Sequence, residues 1–161
     1  MGEVPKFMGI DTEFEADTEI EELLNKMAQE VTKSREEKPS VRCCTGIGGF
    51  RSVKSYDEFM SVVGRCRVAF ILVTTTFCPY CQMFKPIFAK VADEFRDMAV
   101  FLEANADYVP EVAATFEVYS TPTTIVLVDG RPVDAVIGYV PYSQFRRYVN
   151  EVLRYANCVA S

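Results

Sequence analysis

Two cysteines separated by two residues, Cys78 and Cys81, are the side chains best suited to chemistry in this sequence. They follow an apolar run that ends at Val73 and precede a segment with helical spacing, so Cys78 falls at the start of a helix. Free N–H groups and the helix dipole stabilise a thiolate there, which lowers the cysteine pKa and makes the sulfur a nucleophile. The spacing therefore predicts thiol–disulfide exchange, in which Cys78 attacks a disulfide and Cys81 resolves the mixed disulfide.

A zinc site is the main structural alternative for this pair of cysteines. Such a site needs a second pair of cysteines or histidines, and the chain contains no histidine. Cys43 and Cys44 are adjacent, and adjacent cysteines rarely bind one tetrahedral metal ion together. A purely structural bridge between Cys78 and Cys81 is also disfavoured, because so short a loop constrains the unfolded chain little. We therefore predict no metal ion.

Apolar patterning predicts the elements that position the cysteines. The uninterrupted run 68–73 is typical of a central strand covered on both faces. Pro86 lies inside the following helix, where we expect a kink, and Asp129-Gly130 predicts a hairpin. The predicted order is a strand ending at 53, helix 55–64, strand 68–73, helix 84–95, strand 100–104, helix 110–116, strands 124–128 and 133–137, and helix 145–156. This order predicts an α/β fold with a central mixed sheet of about five strands and helices on both faces.

The charge is unevenly distributed along the chain. Residues 1–40 carry 11 acidic and 5 basic side chains, whereas residues 41–161 carry 12 of each. The formal net charge of −6 and the pI near 4.8 disfavour binding to nucleic acid or to an anionic membrane. We divide the chain into an acidic helical extension with a linker, residues 1–45, and an α/β domain, residues 46–161.

The extension contains apolar residues at helical spacing between positions 20 and 31, and Thr18 with Glu21 makes a capping box. These features predict an acidic amphipathic helix, whose apolar face either packs on the domain or binds a partner. No run approaches the ~20 apolar residues of a membrane span, and the N-terminus lacks the pattern of a secretory signal. We therefore predict a cytoplasmic protein.

Residues 46–156 resemble the thioredoxin family beyond the cysteine pair. Pro86 is similar to the family's helix-kinking proline, and Thr121-Pro122-Thr123, before the hairpin, resembles its cis-proline loop. Gly138 resembles the glycine that leaves room for bound substrate. The resemblance implies a thioredoxin-like fold in which this loop faces the redox pair and pairs with an extended substrate segment. It implies substrate-binding roles for Phe77, Thr121, Pro122 and Gly138.

Two positions depart from the family pattern. Phe77 stands where the family usually has tryptophan, and Pro79-Tyr80 stands where it has Gly-Pro. The Pro-Tyr pair resembles glutaredoxins, whose potentials of about −200 to −230 mV are less reducing than the value of about −270 mV for thioredoxin. We therefore expect Pro79 and Tyr80 to make the couple less reducing. Glutaredoxins hold glutathione with a basic residue ahead of the motif, whereas residues 74–76 are all threonine, which disfavours glutathione as a substrate.

The resemblance implies a protein disulfide reductase that acts on disulfide-containing proteins, is reduced by thioredoxin reductase and needs no bound cofactor. A glutaredoxin-like or disulfide isomerase-like oxidoreductase is the enzymatic alternative, because the sequence does not fix the direction of electron flow. An interaction module similar to the phosducin-like proteins is the alternative from another class. Those proteins also append an acidic helical segment to this fold, but they lack the paired cysteines.

The resemblance also singles out Glu103 as a third redox-tuning residue. The family's buried aspartate, six residues before the first cysteine, is replaced by Leu72, and Glu103 stands where the family commonly has a lysine. If Glu103 points under the disulfide, burial should raise its pKa and allow it to relay a proton to or from Cys81. The alternative is a solvated carboxylate at the end of a strand.

The remaining cysteines are scattered in sequence, but the predicted topology gathers them at the end of the sheet opposite the redox pair. Four reduced thiols are the expectation for a cytosolic protein. The alternative is one structural disulfide that joins Cys43 or Cys44 to Cys66 or Cys158 and takes no part in turnover.

Overall fold

A computed structural model describes residues 43–46 and 48–158. The helix predicted after Thr18 lies outside the described residues, and the division of the chain at residue 45 stays a prediction. The strands of the described part are β1 (Gly49–Val53), β2 (Val68–Thr74), β3 (Val100–Asn105), β4 (Thr123–Val128) and β5 (Arg131–Ile137). The helices are α1 (Tyr56–Val63), α2 (Pro79–Glu94), α3 (Pro110–Thr115) and α4 (Tyr142–Tyr155). None of these helices is both long and apolar enough to cross a bilayer.

The strands form one sheet in the order β1-β3-β2-β4-β5. Strands β1, β3 and β2 run parallel, whereas β4 is antiparallel to both β2 and β5. Asp129 and Gly130 connect β4 to β5 with φ angles of 53° and 79°, and positive φ at both residues suits the twist of a two-residue hairpin. The predicted mixed sheet and hairpin are therefore confirmed.

Helices cover both faces of β2, whose seven residues are all buried. Phe70 and Leu72 belong to the apolar layer that contains residues of α2 and α4. Ala69, Ile71 and Val73 belong to the opposite layer, with residues of α1 and α3. Because successive side chains of a strand point to opposite faces, a strand covered on both sides must be apolar throughout. This strand carries the predicted redox pair just beyond its carboxyl end.

Two disulfides fasten the segment before β1 to the rest of the domain. Cys44 is bonded to Cys66, just before β2, and Cys43 is bonded to Cys158, just after α4. Cys44 and Cys66 also pair through an isolated antiparallel β-bridge. The sequence predicts at most one bridge from Cys43 or Cys44 to Cys66 or Cys158, whereas the structure contains two.

The two bridges lie on opposite faces of the sheet. Cys158 belongs to the apolar layer of α2 and α4, with Cys43 packed against that layer. Cys66 belongs to the layer of α1 and α3, with Cys44 packed against it. Neighbouring side chains of an extended segment point in opposite directions, so two adjacent cysteines reach one layer each. The segment that contains Cys43 and Cys44 is therefore covalently bonded to both apolar layers of the core.

Candidate active site

The redox pair lies in the first turn of α2, as the sequence predicts. Cys78 is the N-cap residue, and Pro79 takes the first helical position, where proline is favoured because that N–H has no partner within the helix. The Cys81 N–H donates to Cys78 Sγ at 3.1 Å, and the two sulfurs form a disulfide. The Cys78 sulfur therefore lies where free N–H groups and the helix dipole favour negative charge.

Solvent reaches the two cysteines unequally. Cys78 is 7% exposed and Cys81 only 1% exposed, so an incoming disulfide meets Cys78 first. Phe77 and Tyr80 flank Cys78, and they are 95% and 62% exposed. These two rings have little contact with the rest of the domain and are available to a partner molecule.

The loop before β4 faces the redox pair. The peptide bond between Thr121 and Pro122 is cis, as the resemblance implies, and the Thr121 carbonyl oxygen lies 3.6 Å from Cys78 Sγ. The Gly138 N–H donates to the Pro122 carbonyl oxygen at 2.8 Å, which brings the end of β5 to the same loop. Within residues 43–46 and 48–158, the Thr121 N–H donates to no protein acceptor.

The hydroxyls of Thr121 and Thr75 connect this loop to the sulfur, a contact that the sequence does not predict. Thr121 Oγ1 donates to Cys78 Sγ at 3.6 Å, and Thr75 Oγ1 lies 3.0 Å from Thr121 Oγ1. The available signal is the run of three threonines between a buried strand and the first cysteine. That run does not show which hydroxyl faces the cis-proline loop, because the contact joins residues that are far apart in sequence.

Asp107 holds the loop that leads into the cysteines. Its Oδ2 accepts the Thr76 N–H at 2.8 Å, and this backbone hydrogen bond lowers the pKa of Asp107. Asn105 Nδ2 lies 3.4 Å from Thr76 Oγ1. The loop is therefore tied to the end of β3 by a side chain that stays ionised at neutral pH.

Glu103 is buried and lies beside Leu72 in the register of β3 and β2. Its carboxylate receives three donors: Lys85 Nζ at 2.9 Å, Ser52 Oγ at 2.7 Å and Thr74 Oγ1 at 2.9 Å. Burial by itself raises the pKa of Glu103, but the three hydrogen bonds and the charge of Lys85 outweigh it, so the pKa lies below its ordinary value. The expectation of a raised pKa is therefore wrong.

The physical reason for this correction is that Glu103 is buried among donors and not among apolar side chains alone. Its carboxylate is ionised at neutral pH and holds no proton to donate. Lys85 follows Cys81 by four residues on α2, so the two side chains share a face of that helix. The ion pair therefore places a fixed charge pair one turn beyond the resolving cysteine.

A model of the family described as Thioredoxin matches residues 51–151. The chain belongs to the thioredoxin family. The matched region contains both cysteines of the redox pair, the cis-proline loop and Gly138. It includes Cys66 but not Cys43, Cys44 or Cys158, so neither structural disulfide lies wholly within the matched region.

Two staphylococcal thioredoxins are among the curated relatives. The thioredoxin of Staphylococcus saprophyticus is 37% identical over 78 residues, which cover 48% of this chain and 75% of the relative. The thioredoxin of Staphylococcus haemolyticus is 42% identical over 66 residues, which cover 41% of this chain and 64% of the relative. The second alignment thus spans less than two thirds of the relative's length.

Solved thioredoxin structures share the fold. The thioredoxin of Malassezia sympodialis matches with a TM-score of 0.59 at 26% identity, over 66% of this chain and 92% of the other. The thioredoxin of Trypanosoma brucei brucei matches with a TM-score of 0.58 at 22% identity and supports the fold alone. Together the matches confirm the thioredoxin-like fold and identify the chain as a thioredoxin-type disulfide oxidoreductase.

Proposed function

We propose that the protein is a protein disulfide reductase that exchanges electrons through Cys78 and Cys81. The observation that supports this best is the position of Cys78, which caps α2 and lies 3.6 Å from the carbonyl oxygen of Thr121. A cysteine at a helix start is a favoured nucleophile. The adjacent cis-proline loop offers backbone groups to an extended substrate segment.

The reaction proceeds by two exchange steps. In the reduced protein, the Cys78 thiolate attacks one sulfur of a substrate disulfide, the substrate S–S bond breaks, and the departing sulfur takes a proton from solvent. A mixed disulfide now joins Cys78 to the substrate. Cys81 then loses its proton, attacks Cys78 Sγ and expels the second substrate sulfur. Two electrons pass from the protein thiols to the substrate, and the protein is left with the Cys78–Cys81 disulfide.

The substrate segment is proposed to lie along the cis-proline loop. Thr121 supports this role, because its N–H has no protein acceptor among the described residues. Gly138 adopts φ 94°, and no atom lies within 4 Å of the position that a Cβ would take there. This open space beside Pro122 suits a bound backbone. Phe77 and Tyr80 supply exposed aromatic surface for the side chains that flank the substrate disulfide.

Pro79 and Tyr80 are proposed to make the couple less reducing than a typical thioredoxin, with a potential of about −200 to −230 mV. A glutaredoxin-like or isomerase-like direction of electron flow remains the alternative. Equilibration of the Cys78–Cys81 couple against a glutathione series separates these possibilities. A value of about −200 to −230 mV supports the proposed effect of Pro79 and Tyr80, a value near −270 mV contradicts that effect but still suits a reductase, and a value near −180 mV favours an isomerase.

Thioredoxin reductase is the proposed electron donor, and the proposal requires no bound cofactor because the cysteine pair itself stores two electrons. The cytoplasmic location that the sequence predicts stays a prediction. The bridges Cys43–Cys158 and Cys44–Cys66 are more typical of an oxidising compartment or of a hyperthermophile. Fractionation of source cells after thiol trapping decides between these locations.

Insulin reduction in the presence of dithiothreitol tests the proposed activity. The wild-type protein should accelerate precipitation of the insulin chains, and Cys78→Ser should abolish the acceleration. Cys81→Ser should instead accumulate mixed disulfides, because attack survives and resolution does not. The matched control is Cys44→Ala with Cys66→Ala, which removes a disulfide outside the site and should keep the activity. A folded wild-type protein that adds nothing to the dithiothreitol background contradicts the proposal.

A further inference from the structure

We propose that the hydroxyls of Thr75 and Thr121 form a hydrogen-bonded chain that stabilises the thiolate of Cys78. Thr75 Oγ1 lies 3.0 Å from Thr121 Oγ1, and Thr121 Oγ1 lies 3.6 Å from Cys78 Sγ. The first distance is that of an O–H···O hydrogen bond, and the second is within reach of the larger sulfur atom. The inference rests on the proposed nucleophilic role of Cys78 and adds two hydroxyls to its site.

The chemistry of a thiolate fixes the direction of this chain. A thiolate accepts hydrogen bonds and has no proton to donate, so the Thr121 hydroxyl must donate to it. Thr121 Oγ1 is then available as an acceptor, and the Thr75 hydroxyl donates to it. Each bond of such a chain polarises the next. Thr121 acts directly on the reacting sulfur, whereas Thr75 is a positioning residue that acts through Thr121.

The surroundings of Cys78 make these donors important. The residue is 7% exposed, so water solvates its sulfur poorly, and the Cys81 N–H is one further donor, at 3.1 Å. In the reduced protein a different group favours the thiol form, because the Thr121 carbonyl oxygen lies 3.6 Å from Cys78 Sγ and can accept a hydrogen bond from an S–H there. The Thr121 hydroxyl therefore favours the thiolate of Cys78, whereas the Thr121 carbonyl favours the thiol. The Thr75 hydroxyl strengthens the hydrogen bond from the Thr121 hydroxyl and so favours the thiolate.

No charged side chain of the described residues takes over this role. Ionisable side chains on the segments next to Cys78 and to the cis-proline loop include Tyr80, Cys81, Lys85, Glu103, Asp107, Glu117 and Tyr119. The Asp107 carboxylate accepts the Thr76 N–H, and Glu103 is held by Lys85 and two hydroxyls. Among the described residues, none of the hydrogen bonds or ion pairs of these carboxylates or of Lys85 reaches Cys78 Sγ. A change in the pKa of Cys78 after removal of a threonine hydroxyl is therefore caused by the loss of that hydroxyl's hydrogen bond.

The test measures the pKa of Cys78 in the reduced protein, from the ultraviolet absorbance of the thiolate and from the pH dependence of iodoacetamide alkylation. Thr121→Val should raise this pKa by about 1 unit, as expected for loss of one hydrogen bond to a charged group. Thr75→Val should raise it by a smaller amount. The double variant should shift it no further than Thr121→Val alone, because Thr75 acts through Thr121. Thr75→Ser and Thr121→Ser keep the hydroxyls and should retain the wild-type pKa.

Thr115→Val is the matched control. Its hydroxyl donates to the Glu111 carbonyl oxygen at 2.7 Å on α3, so its removal should leave the pKa of Cys78 unchanged. An unchanged pKa in Thr75→Val, or a double variant whose shift equals the sum of the single shifts, overturns the proposal. If Thr121→Val does not fold, Thr75→Val and Thr75→Ser decide the question. Neither readout requires turnover, so a failure of insulin reduction refutes the proposed function separately.

Discussion

Removal of each structural bridge should destabilise the protein by a different amount. Cys44 and Cys66 are separated by 22 residues in sequence, and Cys43 and Cys158 by 115. Loop-closure entropy in the unfolded chain predicts losses of about 3.4 and about 4.8 kcal/mol when each pair is replaced by alanine. The shorter loop lies inside the longer one and reduces the effective outer loop to about 93 residues, which lowers the larger loss by only about 0.2 kcal/mol. The outer bridge should therefore contribute about 1 kcal/mol more than the inner one.

Urea unfolding measures both losses, with the free energy of unfolding taken by linear extrapolation. The variants are best compared in a background that carries Cys78→Ala and Cys81→Ala, so that the redox couple adds no mixture of oxidised and reduced forms. Cys66 and Cys158 are equally buried, so the cost of removing a buried sulfur nearly cancels between the two variants. Equal losses, or a larger loss from the Cys44–Cys66 pair, would refute the argument from loop length.

Two further outcomes follow from burial and from backbone packing. The pKa of Glu103 is lowered from 4.5 in the folded protein. Its contribution to stability is therefore present above the unfolded pKa and is lost as the pH falls through the lower folded pKa. Glu103→Gln should flatten the decline of the free energy of unfolding below about pH 4.5, and an unchanged decline in urea unfolding at low pH would count against this. A Cβ at Gly48 would overlap the backbone carbonyl groups of Arg96 and Ala99, whereas no atom lies within 4 Å of one at Gly64. Gly48→Ala should therefore lower the free energy of unfolding by about 1–3 kcal/mol, while Gly64→Ala lowers it little. Thermal melts measure both variants, and equal melting temperatures would contradict the clash.

The central strand and the hairpin are predictable from the sequence because their signals are local. The apolar run 68–73 is typical of a strand buried on both sides, and Asp129-Gly130 favours a two-residue turn through its own backbone preferences. The start of α2 is less apparent from periodicity, because Pro79 and Tyr80 do not belong to the apolar face of the helix. The cysteine spacing locates it instead, since Cys78 caps the helix.

The chemistry around Glu103 and the pairing of the four other cysteines depend on contacts between distant elements. The sequence shows that Glu103 lies in a strand, but the direction of its pKa shift depends on donors from β1, β2 and α2. Topology predicts that four cysteines gather at one end of the sheet. Which sulfurs meet depends on the face toward which Cys43 and Cys44 each point, and that is set by the packing of a short segment without a periodic pattern of its own.

The Cys43–Cys158 bridge also determines how the domain carries mechanical load. Tension applied to the chain outside these two cysteines passes directly through the S–S bond, so the stretch between them, a sequence separation of 115, is not pulled. Fully extended, that stretch would contribute about 390 Å of contour length. A translocase or unfoldase that draws one end of the chain through a narrow channel would meet a covalent loop in place of a single strand. The domain can pass such a channel in single file only before this bridge forms or after a reductant has opened it.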